Sequence, residues 1–389
     1  MSVPSMCPVL GTIYINLPVH TCFVDHRAQS ETVRKIITQV RTQEFSYKER
    51  PPKKINWTQY DRAQIHEIAD TLEFIRVLVD TAARRIASRH QESDKKPGRP
   101  ATGAIDVTKV LLLQSYFGVA NRVAEGLLEL FWEKLGLQES FSYKTIERGY
   151  DRETVNEILN EALRLTNAPV KGLEKVFSID GSGSPTRMRQ SYSADREQQR
   201  KKGDGTECSD KFAQGMHDYV YSIITVGARY KLITSYQNTT NHSIGELAFF
   251  EDSMNETKGL HPDMEMVTGD GLFATRPCCR IVNQLGAIPR FLPRRNVTRK
   301  RKGVKAWMDM LDDLVDNPQG WLRDYYQREA SESVNSVIKR LNQWPLRKRL
   351  NPRKRTEDRL RGLCYNIRQL CYLVYLADLV VLPVIDAAG

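Results

Sequence analysis

Apolar positions along the chain follow two different periods. From residue 58 to about residue 168 they recur at offsets of three and four, the spacing of one helical face. Ile65, Ile68, Leu72, Ile75, Leu78 and Ile86 predict one long helix with Thr58 as its N-cap. Residues 107–117 and 119–135 predict a helix pair, residues 142–148 a short basic helix and residues 151–165 another. Leu111, Leu112, Leu113, Leu127, Leu128 and Leu130 are the expected core of this region. A polar stretch around 91–103, holding Pro97-Gly-Arg99-Pro100, reads as a linker.

Beyond residue 169 the pattern shortens to strand-length apolar runs. Val176-Phe-Ser-Ile-Asp180 is a buried strand ending in a carboxylate and followed by glycines. Tyr219 to Val226 and Lys231 to Tyr236, joined through Gly227, form a hairpin. A short helix over 244–254 leads to a strand that stops at Gly269, just before Asp270. Residues 287–292 predict one more strand and 304–315 a helix, and Leu370 to Val381 form a further apolar stretch. The expected fold is mixed α/β, with a core over 169–376, a helical region over 58–168 that reads as separable, and a tail over 377–389. Residues 1–57 carry no assignable pattern.

Candidate chemistry concentrates near the C-terminus. Tyr325, Arg328, Glu332 and Lys339 stand at offsets of 3, 7 and 14. At about 100° per residue they share a stripe roughly 60° wide, while Val334, Val337, Ile338 and Leu341 fall opposite. A carboxylate flanked by cations suits chemistry on phosphate. Asp180 and Asp270, each at a strand end beside glycine, supply two more carboxylates, and the glycines around Asp270 would let the backbone approach a ligand.

Tyr325-x2-Arg328-x3-Glu332-x6-Lys339 resembles the YREK signature of insertion-sequence DDE transposases, and Asp270-Gly-x-Phe-Ala is similar to that family's second-aspartate motif. The likeness runs over about residues 100–375 and is strongest from 176 to 370. It implies a ribonuclease H-like catalytic core preceded by a helical DNA-binding domain. It also implies Asp180, Asp270 and Glu332 as catalytic residues and metal ligands, with Asp180 bridging two ions. Arg328 and Lys339 would grip backbone phosphates, and Tyr325 would pack beside the bound strand end. The implied cofactor is Mg²⁺ or Mn²⁺, two ions roughly 3.5 to 4 Å apart that stabilise the attacking and leaving oxygens. Such ions take oxygen ligands and need neither His nor Cys. The implied reaction is cleavage at terminal inverted repeats and joining of the 3′-OH ends to target DNA. The implied partner is double-stranded DNA, bound by at least a dimer, with no membrane and no small-molecule substrate. A ribonuclease H-like nuclease without strand transfer, and a DNA-binding protein without catalysis, are the alternatives. Only 61 residues separate Asp270 from Glu332, too few for the large β-rich insertion of some relatives.

Charge adds a binding surface to this reading. The net charge is +11, and residues 290–368 hold 21 Lys and Arg against nine Asp and Glu. Arg299, Arg301, Arg347 and Arg349 belong to clusters that bracket the Glu332 helix, as expected of a groove following a phosphate backbone. The short helices with a basic third member predict a helix-turn-helix that reads the major groove. Pro97-Gly-Arg99-Pro100 is similar to a minor-groove AT-hook. Seven scattered cysteines without a CxxC pair argue against zinc modules and for a reducing, cytoplasmic setting, and the resemblance implies a nucleoid-associated protein of a prokaryote. Neither a P-loop nor a Gly-x-Ser-x-Gly elbow is present.

Overall fold

A computed structural model describes residues 26–42, 44, 55–89, 103–189, 217–241, 243–300, 302–342 and 345–387. Arg99, Arg301 and all but the last residue of the expected linker lie outside the described residues.

Strands β1 (Val176–Arg189), β2 (His217–Gly227), β3 (Ile233–Thr239), β4 (Met266–Gly269) and β5 (Ile288–Phe291) form one mixed sheet in the order β3-β2-β1-β4-β5. The first three pair antiparallel, as the hairpin pattern predicts, while β4 and β5 join β1 in parallel. Side chains alternate along β1. Phe177 and Ile179 point into a core with Phe250, Phe273 and Phe291. Ser178 and Asp180 point the other way, under a helix over residues 329–341.

The Phe177 core also takes in α7 (Phe250–Leu260), α8 (Arg276–Gln284), α9 (Lys305–Asp316) and α10 (Pro318–Tyr325). Two of these begin on matched caps: Thr275 accepts from the Cys278 amide and Asn317 from the Gly320 amide, each with proline in the first turn. Although the residues before 57 carry no assignable pattern, α1 (His26–Arg41) packs into this core through Val33 and Ile37. Its Arg34 donates to the Val297 carbonyl at 2.9 Å, and Ser30 accepts from the Arg299 amide at 3.1 Å.

A second core joins the hairpin strands to α2 (Trp57–Arg89), α3 (Ala104–Phe117), α4 (Asn121–Leu135), α5 (Tyr143–Gly149), α6 (Glu153–Leu165), α11 (Glu329–Leu341), α12 (Asn351–Leu376) and α13 (Leu382–Ala387). Gly118 and Gly136 end α3 and α4 in the left-handed region. Two details depart from the periodic pattern. The cap of α2 is Asn56, which accepts from the Gln59 amide, and Thr58 lies inside the helix. Ile65, Ile68 and Leu130 are exposed. The first turns of α2 face their neighbours with polar residues instead, because Glu67 accepts there from Tyr116 and Tyr372.

The helices over 57–165 share a core with the sheet. Leu72, Ile75 and Leu78 of α2 and Leu111 of α3 pack in one apolar cluster with Ile224 and Ile233 of the sheet and Leu363 and Leu370 of α12. Burial of that surface ties the helical half of the chain to the strands.

Candidate active site

Asp180 ends the apolar part of the central strand, and Asp270 directly follows β4, whose Gly269 is in register with Ile179. The strand does not end at Asp180, as the glycines after it suggest, but runs on to Arg189 paired with β2; both carboxylates lie at the end of the sheet's parallel part, where β4 stops beside β1. The glycines around Asp270 allow close packing. A Cβ on Gly269 would meet Ile179 and Phe273 at 3.0 Å, and one on Gly271 would meet the Leu292 carbonyl at 3.0 Å. The Leu272 amide donates to Asp270 Oδ1 at 2.8 Å and fixes that side chain.

Helix α11 crosses this end of the sheet on a polar seam. The buried hydroxyls of Ser178 and Ser331 lie 2.6 Å apart, and both stand within 3.0 Å of the Arg328 carbonyl. One turn further, Asn335 donates to Asp180 Oδ2 at 2.8 Å. Val334 and Ile338 are buried beneath, as the helical wheel predicts, whereas Leu341 is exposed. The seam therefore sets Glu332, next to Ser331, over the strand that carries Asp180. Ser331 and Asn335 escape sequence reading because small polar residues on a helix look like solvated surface, and Ser178 because a lone serine in an apolar strand gives no sign of a partner. The i, i+4 spacing of Ser331 and Asn335, facing a strand serine, is the one local hint.

Tyr325, Arg328, Glu332 and Lys339 do not lie on one continuous helix. A 3₁₀ turn, Tyr326–Arg328, separates α10 from α11. At about three residues per turn it adds roughly 60° of rotation over its length. Tyr325 consequently leaves the outward stripe and is buried, stacked on Trp321 with ring centroids 5.3 Å apart. Burial pushes its phenol up to about 12. Its ring instead supports Arg328, whose guanidinium lies 5.3 Å from the ring centroid. Arg328 in turn pairs with Glu332, and Lys339 is exposed further along α11.

The basic clusters divide. Arg299 forms an ion pair with Asp312, and Arg347 donates to the Gly118 carbonyl at 2.8 Å. Lys348 and Arg353 both pair with Glu147 of α5, the basic third helix. These cations hold elements together, whereas Arg349, Lys144 and Arg148 are exposed.

A fourth carboxylate stands at the same end of the sheet. Glu246 opens the 3₁₀ turn Glu246–Phe249 that leads into α7, and its Oε1 accepts from the Tyr221 hydroxyl. Burial, then the nearby Asp270 and Asp180, raises its carboxyl above the ordinary range against the Tyr221 bond. Asp180 is likewise raised, first by burial and then by Glu332 and Asp270, with Asn335 and the Gly181 amide opposing. Like charges gathered in a half-buried place favour protons or cations.

Asp180, Asp270 and Glu332 offer only hard oxygen donors, which suits Mg²⁺ or Mn²⁺. Among the described residues no three acidic, His or Cys side chains yet enclose one cation position, and Glu332 is drawn toward Arg328. Among the described residues no helix is long and apolar enough to cross a membrane.

A mixed sheet with one aspartate within its central strand and another just after the neighbouring parallel strand, beneath a helix bearing a glutamate, places acidic oxygen groups near one another in a mixed α/β protein. The chain is 27% identical over 276 residues to the probable transposase for insertion sequence element ISA1214 of Archaeoglobus fulgidus, covering 70% of this chain and 77% of that protein. No family model and no solved structure matches it.

Proposed function

We propose that this chain is a DNA transposase that cuts at the ends of its element and joins the 3′-OH ends to target DNA. What supports the reading is that Asp180 on β1 and Asp270 just after β4 stand on adjacent parallel strands, beneath the helix that carries Glu332, in the order the YREK resemblance requires. The relative named as a probable transposase supports it over most of both chains. The strand order β3-β2-β1-β4-β5 supports a ribonuclease H-like core.

Asp180, Asp270 and Glu332 would hold divalent cations, which when bound supply Lewis acidity to the attacking and leaving oxygens of the phosphodiester. Asn335 keeps Asp180 oriented, and the Leu272 amide does the same for Asp270. Arg328, supported by Tyr325, can exchange its bond to Glu332 for a DNA phosphate, giving the strand end a fixed grip.

The test is a cleavage and strand-transfer assay on DNA bearing the inverted repeats that flank the gene, in Mg²⁺. Asp180→Ala, Asp270→Ala and Glu332→Ala should each abolish cleavage and joining while end binding persists, because affinity comes mainly from phosphate contacts. Near-normal cleavage by any one would remove that residue from the centre. Cleavage without joining by the wild type would make the chain a nuclease.

A further inference from the structure

A cleft of about 620 Å³ lies between the helical half of the chain and the segment that follows α11. One wall is the turn from α3 into α4, with Tyr143 and Glu147 of α5; the other runs from Leu341 at the end of α11 to Arg361 in α12. Glu332 stands nine residues before Leu341, about 14 Å along the helix at 1.5 Å per residue, with the exposed Lys339 between them. The cleft therefore opens where the helix of the candidate active site ends.

Its lining has the chemistry of an anion site. Among the described residues it holds six cations, Arg122, Arg347, Lys348, Arg349, Arg353 and Arg361, against two carboxylates, Glu147 and Glu357. Counting Asp151, which pairs with Arg353 from outside the lining, cations still exceed carboxylates by six to three. Lys348 and Arg361 are only 7% and 9% exposed, and charge taken out of water is costly unless opposite charge answers it. Lys348 and Arg353 reach Glu147 across the cleft and Arg347 reaches the Gly118 carbonyl, so these cations also tie the two walls together. Arg122, held over the Tyr143 ring at 5.1 Å, and Arg349 supply the exposed charge. The starts of α4 and α12 add to it. Both long helices begin on apolar residues, Ala120 and Leu350, with no side-chain cap, and both caps line the cleft. Their positive ends reinforce the field that the cations set up.

We infer that this cleft seats phosphates of one DNA strand where it runs on from the active site along α11, gripped between the helical half and the core. This rests on the proposal that the chain acts on DNA. The volume is that of a small-ligand pocket, with room for a short piece of one strand and not for a duplex.

The experiment measures the affinity of the full chain for an element-end duplex by fluorescence anisotropy across a salt series, with thermal melting of each variant. Arg122→Ala should shallow the slope of log affinity against log salt by about 0.9, the value for one phosphate on duplex DNA. Lys134→Ala removes the same charge from the exposed far end of α4 and should keep the wild-type slope. Ala120→Asp gives α4 the cap it lacks and should melt no lower than wild type, yet its carboxylate repels a phosphate in the cleft and should weaken DNA binding. A residue that mattered only for folding would not give that pair of results. Wild-type affinity and slope in both Arg122→Ala and Ala120→Asp, with cleavage of the element end by wild type intact, overturn this inference and leave the transposase reading standing. An equal loss of slope in Lys134→Ala overturns it as well, since total charge would then account for the binding. Sodium pyrophosphate in the same melts separates the strand from a free phosphate compound. A melting shift in wild type that Ala120→Asp abolishes, with DNA binding unchanged in that variant, gives the cleft to the smaller ligand and overturns the assignment to DNA. Failure of wild type to bind any duplex overturns the transposase reading and this inference with it.

Discussion

At the scale of single residues, the buried Tyr325 and the half-buried Arg328 have different tasks, and substitutions should separate them. Tyr325→Ala removes a ring stacked on Trp321 inside the core, and should cost about 3 to 5 kcal/mol in urea unfolding. Tyr325→Phe keeps the stack and the support under Arg328, and should retain most stability and cleavage. Arg328→Ala should leave the fold intact and still bind Mn²⁺, but lose on the order of a hundredfold in cleavage because the strand end is misplaced. The charge on Asp180 makes a pH-dependent prediction. Its carboxyl is raised in the folded state above 3.8, chiefly by burial, so the stability it contributes is present below that value and lost as pH rises through the folded value. Asp180→Asn should therefore melt higher than wild type at pH 7, and the gap should close as pH falls toward about 4. A gap that widened on acidification would show the carboxylate to be well paired. Asp180, Asp270 and Glu332 are legible as candidates because each ends or rides on a locally patterned element. Tyr325 is misplaced by a helical wheel, which assumes an unbroken 3.6-residue period, and Glu246 is invisible because only the folded chain brings it to Tyr221.

Elements are joined at one buried carboxylate that sequence reading does not single out. Asp358 of α12 is fully buried and accepts from Ser184 on β1, from Ser222 on β2, and from Tyr236 and Asn238 on β3. α12 is one helix over Asn351–Leu376, and a lone Asp within Glu357-Asp-Arg gives no sign in the sequence that three strands converge on it. Asp358→Ala leaves those donors without their acceptor in a dry place, and should cost about 3 kcal/mol or more. Gly362, one turn on, explains how Tyr236 reaches this site. A Cβ there would collide with the tyrosine ring. Gly362→Ala gains about 1 kcal/mol of helix propensity but should lose more to the clash, so the net change should be destabilising. Urea denaturation of both variants checks this, and a stabilised Gly362→Ala would mean that the ring moves aside at little cost.

For the whole molecule, the shared core alters what the helical half can do alone. Residues 58–168 read as separable because a polar linker and helical periodicity are local signals, while partners of Leu72, Ile75 and Leu111 lie far later in the chain, in α12. A fragment of those residues should lack a cooperative thermal transition, and adding back residues 169–387 in one chain should restore it. Positive charge is legible as a total but not in its division between structure and surface. Arg299 is committed to Asp312, whereas Arg349 is exposed just before the start of α12. Each phosphate neutralised by the protein contributes about 0.9 to the slope of log affinity against log salt on duplex DNA. Arg349→Ala should therefore shallow that slope by nearly one unit with little change in melting temperature, if the exposed cations follow the DNA backbone. Arg299→Ala should leave the slope unchanged and lower the melting temperature, because it strands Asp312. Fluorescence anisotropy of an element-end duplex across a salt series measures both slopes. Equal slopes for Arg349→Ala and wild type would place the DNA on another face of the molecule.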